Sequence, residues 1–337
     1  MIKKMMVILL MVLFVTLLGS ETKVIPMPKL MKPQLILLDK TQMYVTEDTS
    51  IYIYSLKDFK LIKKFGKRGE GPQEFMINPQ LPLYLNVQTK DIIVQSFGKL
   101  SWFSKDGEYK KELKLPNPLI LFIQPFGKNF IGLQVTQGEK RWRKLNLYDD
   151  KINELKTITK MEDAFQQGKG TRVLENHPFN VIYDKKLFLA WENNIIIKVL
   201  DTELKELYSV KYDAEKRKVT EEDKKDIIHF LKTNPATKDF FELLKPIHFP
   251  TYFPAIQNLF VTNNKIYIFT FNKKNEKEIS EFLIFDIKGK FLKQGFFPLK
   301  MSSPILPYPY SIHEGYLYQM VEDVDEEEWA LHVREIK

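Results

Sequence analysis

A hairpin pattern that returns roughly every fifty residues is the feature that most constrains the fold of this chain. Each copy has two strand-like segments joined by a short turn of Asp, Gly, Lys or Asn, which is the sequence pattern of a β-hairpin. The copies read IYIYSLKDFKLIKKFG, LSWFSKDGEYKKELKL, KLNLYDDKINELKTI, IIKVLDTELKELYSV and FLIFDIKGKFLKQGFF, and they align on Tyr54, Phe103, Tyr148, Leu200 and Phe285. A shorter copy, WALHVREIK, ends the sequence.

Two further strand-like segments precede these hairpins; LPLYLNV and DIIVQSF, for example, precede the second. Four strands in a repeat of about 40 to 50 residues are typical of a β-propeller blade. The 25 Phe and 15 Tyr also favour strands. The sequence therefore predicts an all-β fold, a six-bladed β-propeller with four-stranded blades over residues 21–337. A two-sheet sandwich is the alternative, but it would not give so regular a four-strand period.

The last unit lacks one strand, because only three strand-like segments follow the fifth unit. The N-terminal segment ETKVIPMPK can supply the missing outer strand and close the ring. Closure would hide a sheet edge that otherwise invites aggregation.

A helical insertion over residues 213–249 separates the fourth unit from the fifth. Thr220 and Asp223 predict a capping box at the start of its first helix. Asn234 as cap and Pro235 as first residue predict the start of a second helix. The insertion could be a lid, a docking element for a partner, or a surface insertion without a function.

The first twenty residues, 1–20, have the pattern of a cleaved secretory signal peptide. Lys3 and Lys4 precede an apolar run, and Gly19 and Ser20 supply small residues for cleavage. An uncleaved anchor is the alternative, but the apolar run is shorter than the ~20 residues of a spanning helix. We therefore expect an exported chain, periplasmic or extracellular, with no transmembrane segment after cleavage. LLGS looks like a bacterial lipobox with Ser20 in place of the modified Cys, so no lipid anchor is expected.

The stretch FGKRGEGPQEF, residues 65–75, predicts a structural corner between the first two units. Gly66, Gly69 and Gly71 permit positive φ, and Pro72 fixes its own backbone φ. Phe75 can fill the space between two blades. A phosphate-binding loop is the alternative, but it would need a Lys-Ser or Lys-Thr pair and a following helix, and neither is present.

This corner and its sequel MINPQLPLYLN resemble the junction of an NHL-type repeat. They are especially similar to an exported bacterial six-bladed β-propeller family whose members are often lipoproteins. FPTYFPAIQNLFVTNNKIYIF, residues 249–269, resembles the opening of a late blade in that family. The resemblance implies the propeller fold but no particular activity, because propellers carry many functions.

The charge pattern argues against a nucleic-acid partner. The formal net charge is +8, but basic residues alternate with acidic ones, as in DAEKRKVTEEDKKD, instead of forming a stripe. We expect a monomer. The chain has no Cys, so it has no disulfides.

No catalytic or metal-ligating set is predicted, and no cofactor is expected. The five His are far apart, and no G-x-S-x-G nucleophile motif occurs. The candidate binding residues are His177, His248 and Tyr252, expected near the mouth of the central channel, and Arg68 and Glu70 at the corner.

Two functions remain open from the sequence. The first is a non-enzymatic binding propeller that presents a disc face and the channel mouth to a protein, peptide or glycan. The second is a propeller hydrolase or lyase with a divalent metal ion in the axial channel.

Overall fold

The computed structural model describes residues 22–76, 82–175, 178–190, 194–274, 279–323 and 326–336. The predicted signal peptide, 1–20, and His177 lie outside these residues. The described chain is mostly β, with several four-stranded antiparallel sheets, an architecture consistent with a β-propeller.

Six four-stranded sheets occur in the described ranges, and we number them in chain order. In the first five, the strands lie side by side in the order in which the chain makes them. The first sheet comprises Leu35–Leu38, Gln42–Glu47, Ser50–Ser55 and Leu61–Phe65. The second comprises Tyr84–Val87, Asp91–Ser96, Lys99–Ser104 and Tyr109–Lys114. The third comprises Ile120–Phe126, Asn129–Val135, Trp142–Tyr148 and Glu154–Glu162.

The second half of the chain repeats this arrangement. The fourth sheet comprises Phe179–Tyr183, Lys186–Ala190, Ile195–Leu200 and Glu206–Tyr212. The fifth comprises Asn258–Thr262, Lys265–Lys273, Ile279–Asp286 and Phe291–Pro298. The sixth comprises Tyr310–His313, Tyr316–Asp323 and Glu328–Glu335, followed by Lys23–Pro26 from the start of the chain.

In the third, fourth and fifth sheets, each repeated hairpin turn is stabilised by the side chain of one Asp. Asp149 Oδ1 accepts the backbone N–H of Lys151 at 2.9 Å and of Asn153 at 2.8 Å. Asp201 and Asp286 make the same pair of bonds in their own turns. A short carboxylate can hydrogen-bond the backbone just after it, so it stabilises the turn directly. This turn chemistry explains why the hairpins recur as a sequence repeat.

The apolar core lies between sheets. Among the described residues, six clusters of buried side chains each combine two sheets: first with second, second with third, and so on, and finally sixth with first. Aromatic rings contribute to these clusters; the ring centroids of Phe65 and Phe103, from the first and second sheets, lie 4.7 Å apart. Each sheet is therefore packed on both faces by its neighbours.

The N-terminal strand completes the sixth sheet, which confirms the predicted closure. Lys23 lies opposite Val333 in an antiparallel pair, and Met27 N–H donates to Trp329 O at 2.7 Å. Met27 and Leu30 are 2% and 3% exposed and pack in the cluster between the sixth and first sheets.

The insertion contains an α-helix, Glu221–Thr233, and a 3₁₀ helix, Lys238–Leu244. Thr220 Oγ1 accepts Asp223 N–H at 3.1 Å, and Asp223 Oδ2 accepts Thr220 N–H at 2.9 Å, so the predicted capping box is present. A second helix is present as predicted, but its predicted start at Asn234 and Pro235 is wrong. Asn234 ends the first helix, and its N–H donates to Phe230 O at 2.8 Å. The residue before a proline avoids the helical region, which explains this end.

Two small sheets complete the fold. One joins Phe165–Gln166, Gly170–Arg172 and Ile247–His248, and the other pairs Lys67–Arg68 with Glu74–Phe75 in parallel. No helix in the described part of the chain is long and apolar enough to cross a membrane.

Candidate functional site: a cavity at the strand starts

A cavity of about 360 Å³ lies where the opening strands of four sheets begin. Leu35, Phe179, Asn258 and Tyr310 line it, and each is the first residue of the opening strand of its sheet. The four strands therefore present the same end to one space, which we call the hub cavity. Such convergence of several elements on a concave site is typical of ligand pockets, and so is the volume.

Loops before the opening strands supply most of the remaining walls of the hub cavity. Besides the four strand residues, the lining comprises Gln34, Ile36, Leu174, Glu175, Pro254, Ile256, Gln257, Phe271, Ile305, Leu306, Pro307, Tyr308 and Pro309.

Leu306 stands out in this lining because it is 52% exposed. Ser303 Oγ accepts Leu306 N–H at 3.0 Å, and Ser302 Oγ donates to Leu306 O at 3.0 Å. These bonds hold the loop around Leu306, so an apolar side chain is kept at the cavity entrance.

The carboxylate of Glu175 in the lining is compensated by a neighbouring cation. Arg172 forms ion pairs with Glu175 and with Glu162, the latter at 3.2 Å. Burial would lower the pKa of the Arg172 guanidinium, but its hydrogen bonds to both carboxylates raise the pKa above its ordinary value. Arg172 therefore stays charged, and the hub cavity carries little net charge near Glu175.

The other polar groups of the lining are neutral. Burial raises the pKa of Tyr310, so its phenol stays protonated. Asn258 Oδ1 accepts the N–H of Leu259 at 2.9 Å. Gln257 Oε1 is buried and accepts no hydrogen bond from the described residues. Buried acceptors are normally paired, so this atom calls for an explanation.

The helical insertion supports one wall of the hub cavity. Its return segment, Ile247–His248, pairs in parallel with Gly170–Arg172. Thr171 N–H donates to Pro246 O at 2.9 Å, and Val173 N–H donates to His248 O at 3.0 Å. The two segments then lead to the lining residues Leu174 and Glu175 on one side and Pro254, Ile256 and Gln257 on the other. The insertion thus fixes both loops on this side.

Gly170→Ala is expected to loosen this wall. Gly170 has φ +82°, and a Cβ atom would lie 2.6 Å from Pro246 N. The strain of a left-handed non-glycine residue costs about 1–3 kcal/mol, before the clash is counted. Chemical denaturation should show that loss, and hydrogen exchange should show faster exchange at Thr171 and Val173. Gly168→Ala is the matched control, because Gly168 has φ +74° but no atom within 4 Å of the added Cβ. Equal losses for the two variants would contradict the role of the pairing.

Neither His248 nor Tyr252 is among the residues that line the hub cavity. His248 is exposed, with Nε2 3.1 Å from Lys169 O, and Tyr252 forms an isolated bridge with Lys218. Ile247–His248 pairs with the small sheet instead, and the opening strand of the fifth sheet begins only at Asn258. His177, the third residue of that prediction, is outside the described ranges.

The corner residues separate into two environments. Arg68 is exposed and 3.3 Å from Asp48 Oδ1 in an ion pair. Glu70 lines a second cavity of about 320 Å³ with Met76, Phe97 and Lys99, among others. Lys99 donates to the carbonyl oxygens of Glu70 and Gly71, so its charge is used to hold the corner. Glu70 lines this second cavity, whereas Arg68 is not among its lining residues.

The glycine-rich corner itself is tightly built. A Cβ atom at Gly66 would lie 2.5 Å from Thr49 O and 2.7 Å from the Phe75 ring. Gly71 N–H donates to Glu74 Oε2 at 2.9 Å. Phe75 is fully buried in the cluster between the first and second sheets, the position expected for a plug.

Sequence reasoning missed Leu174, Gln257 and Leu306, which belong to three different loops. The sequence does mark the start of two opening strands that reach the cavity, because a proline stands just before each of them. Pro178 precedes Phe179, and Pro309 precedes Tyr310. Proline has no N–H for a strand ladder, so it marks where such a strand can start. Among the residues that the structure describes, no group of three or more His, Asp or Glu is positioned to hold a metal ion.

Comparison with solved structures shows the fold. The chain is similar to the crystal structure of a DUF4221 family member from Bacteroides vulgatus, with 13% identity, a TM-score of 0.51, and coverage of 94% of this chain and 97% of that chain. A protein of unknown function from Bacteroides caccae follows with 10% identity, a TM-score of 0.43 and coverage of 79% and 81%. The Pan2 WD40 domain of Neurospora crassa has 9% identity, a TM-score of 0.41 and coverage of 90% and 89%.

No family model matches the chain, and no curated protein matches it. The likeness to the Bacteroides vulgatus protein therefore stands as a likeness of fold over nearly the full length of both chains.

Proposed function

We propose that this chain is an exported six-bladed β-propeller that binds a protein, peptide or glycan at the hub cavity without carrying out chemistry. The six sheets and the six apolar clusters between consecutive sheets support the blade number. The leader-like residues 1–20 and the NHL-like corner support export and placement outside the cytoplasm. We further propose that the protein acts as a monomer.

The observation that carries the binding function is the hub cavity. Strand ends from four sheets converge on it, and the loop of Leu306 keeps an apolar side chain at its entrance. Amide groups of Gln34 and Gln257 supply hydrogen-bonding positions in a largely apolar lining. Pockets with many apolar groups and a few placed polar groups are typical of specific ligand binding.

Leu306→Asp is expected to weaken binding without unfolding the protein. The substitution puts a charge at the entrance of an apolar cavity but does not disturb a buried side chain. We expect affinity to fall at least about tenfold for ligands found on peptide and oligosaccharide arrays, as measured by calorimetry.

Leu243→Asp is the matched control, since Leu243 is exposed on the 3₁₀ helix and does not line the hub cavity. Thermal melting should show both variants folded. Array ligands that bind Leu306→Asp as tightly as the unaltered protein would refute the hub cavity as the binding site.

A further inference from the structure

Gln257 Oε1 is a hydrogen-bond acceptor that needs a donor. It is buried and accepts no hydrogen bond within the described ranges, although Gln257 N–H donates to Phe269 O at 2.7 Å. A buried acceptor without a donor is destabilising, because it has lost its hydrogen bonds to water and has gained none within the protein. Since Gln257 lines the hub cavity, a ligand there can supply the missing N–H or O–H.

The charge of the lining indicates that this donor is neutral. Arg172 compensates Glu175, and Gln34, Gln257 and Asn258 carry amides. A cationic ligand would find no unpaired carboxylate in the described lining, and an anionic ligand would find no free cation there. Burying an unpaired charge is costly, so the group that enters beside Gln257 should be uncharged.

Three aromatic rings of the lining pack against other rings of the protein. Tyr310 packs edge-on against Phe269 with centroids 5.4 Å apart. Tyr308 packs edge-on against Trp329 at 5.6 Å, and Phe271 stacks on Phe253 at 5.0 Å. The apolar group that is left exposed at the entrance is the aliphatic Leu306. This lining fits an aliphatic or prolyl side chain better than the flat face of a sugar ring.

We infer that the hub cavity takes a neutral, extended peptide segment, which donates a backbone N–H to Gln257 Oε1 and packs an aliphatic or prolyl side chain against Leu306. The inference rests on the proposed function, because it names the ligand class of the same site. An extended peptide offers both features at once: its backbone supplies uncharged donors, and its side chains supply apolar anchors.

The test uses an array of acetylated and amidated pentapeptides that carry Leu, Pro, Ala, Asp or Lys at the anchor position. We expect uncharged peptides with Leu or Pro to bind. Replacement of the anchor by Asp or Lys should weaken binding at least about tenfold. Gln257→Met, which keeps the length of the side chain but removes the acceptor, should weaken binding about fivefold to tenfold. Gln137→Met, at an exposed position outside the lining, should leave affinity unchanged.

Methylation of single backbone nitrogens in the tightest peptide identifies the donor. Methylation of the nitrogen that faces Gln257 should weaken binding to the unaltered protein but cause no further loss in Gln257→Met, because the two changes remove the same bond. The inference is overturned if every methylation effect adds to that of Gln257→Met, or if charged peptides bind best.

An oligosaccharide array separates this inference from the proposed function. If oligosaccharides bind in a Leu306-dependent way and the peptides do not, the peptide inference fails and the binding function stands. If neither array yields a ligand whose affinity depends on Leu306, both proposals fail.

Discussion

Deletion of residues 22–30 is expected to lower the free energy of unfolding by at least about 4 kcal/mol, since it removes two buried core side chains. Met27 and Leu30 pack in the cluster that joins the sixth sheet to the first, and the strand Lys23–Pro26 pairs with Glu328–Glu335. Differential scanning calorimetry should show a fall in Tm of roughly 10 °C. Size-exclusion chromatography should also show oligomers, because Glu328–Glu335 becomes an unpaired edge.

Two point variants in the same segment provide the control for this deletion. Met27 is 2% exposed and Met31 is 82% exposed. Met27→Ala should therefore lose about 2–5 kcal/mol, whereas Met31→Ala should lose less than about 0.5 kcal/mol. A deletion variant that melts within a degree of the parent protein would show that the N-terminal strand does not hold the fold together.

Phe75→Ala is expected to lose about 3–5 kcal/mol, the usual cost of removing a buried aromatic side chain. Phe75 is fully buried between the first and second sheets, with its ring centroid 6.0 Å from that of Phe103. The cavity left by the ring cannot be filled easily, because Gly66 and the corner backbone already pack closely against it. Urea denaturation measures the loss directly.

Phe296→Ala serves as the matched aromatic control, because Phe296 is 42% exposed on the last strand of the fifth sheet. Its expected loss is below about 1 kcal/mol. If the two variants lost the same stability, the corner would be a surface loop and Phe75 would not act as a plug between sheets.

Much of the fold could be predicted because local chemistry repeats along the chain. Tyr148, Leu200 and Phe285, on which the hairpins align, each precede an Asp that binds the backbone of the following turn. Because a side chain in the turn itself stabilises the turn, the sequence shows where each hairpin turns. The alternation of apolar and polar residues along the strands would not show this. The outer strand of the sixth sheet could be predicted by counting strands. The last unit has only three strand-like segments, so its fourth strand has to come from another part of the chain.

The start of the second helix of the insertion could not be predicted correctly, because Asn234 and Pro235 fit two roles. Asn and Pro at the start of a helix are common, but a residue before proline also ends a helix. Here the second role prevails, and Thr237 Oγ1 adds a bond to Leu231 O at 2.7 Å that closes the end of the first helix. The choice depends on contacts made after folding.

The hub cavity could not be predicted from the sequence, because its parts lie in loops of different sheets. Leu174, Gln257 and Leu306 share no motif and no spacing. They meet because the opening strands of their sheets start at one end of the stack. His248, a predicted binding residue, does not line this cavity, because Ile247–His248 pairs in parallel with Gly170–Arg172.

The pairing of Lys23–Pro26 with Glu328–Glu335 also affects the order in which the sheets can form as the chain is made. The ribosome makes Lys23–Pro26 long before Glu328–Glu335, so the first strand has no partner until the second has been made. Until then, five sheets can form from neighbouring segments, but the sixth cannot. A chain that stops before Glu328 therefore never closes, and its exposed apolar side chains should make it a target for proteases.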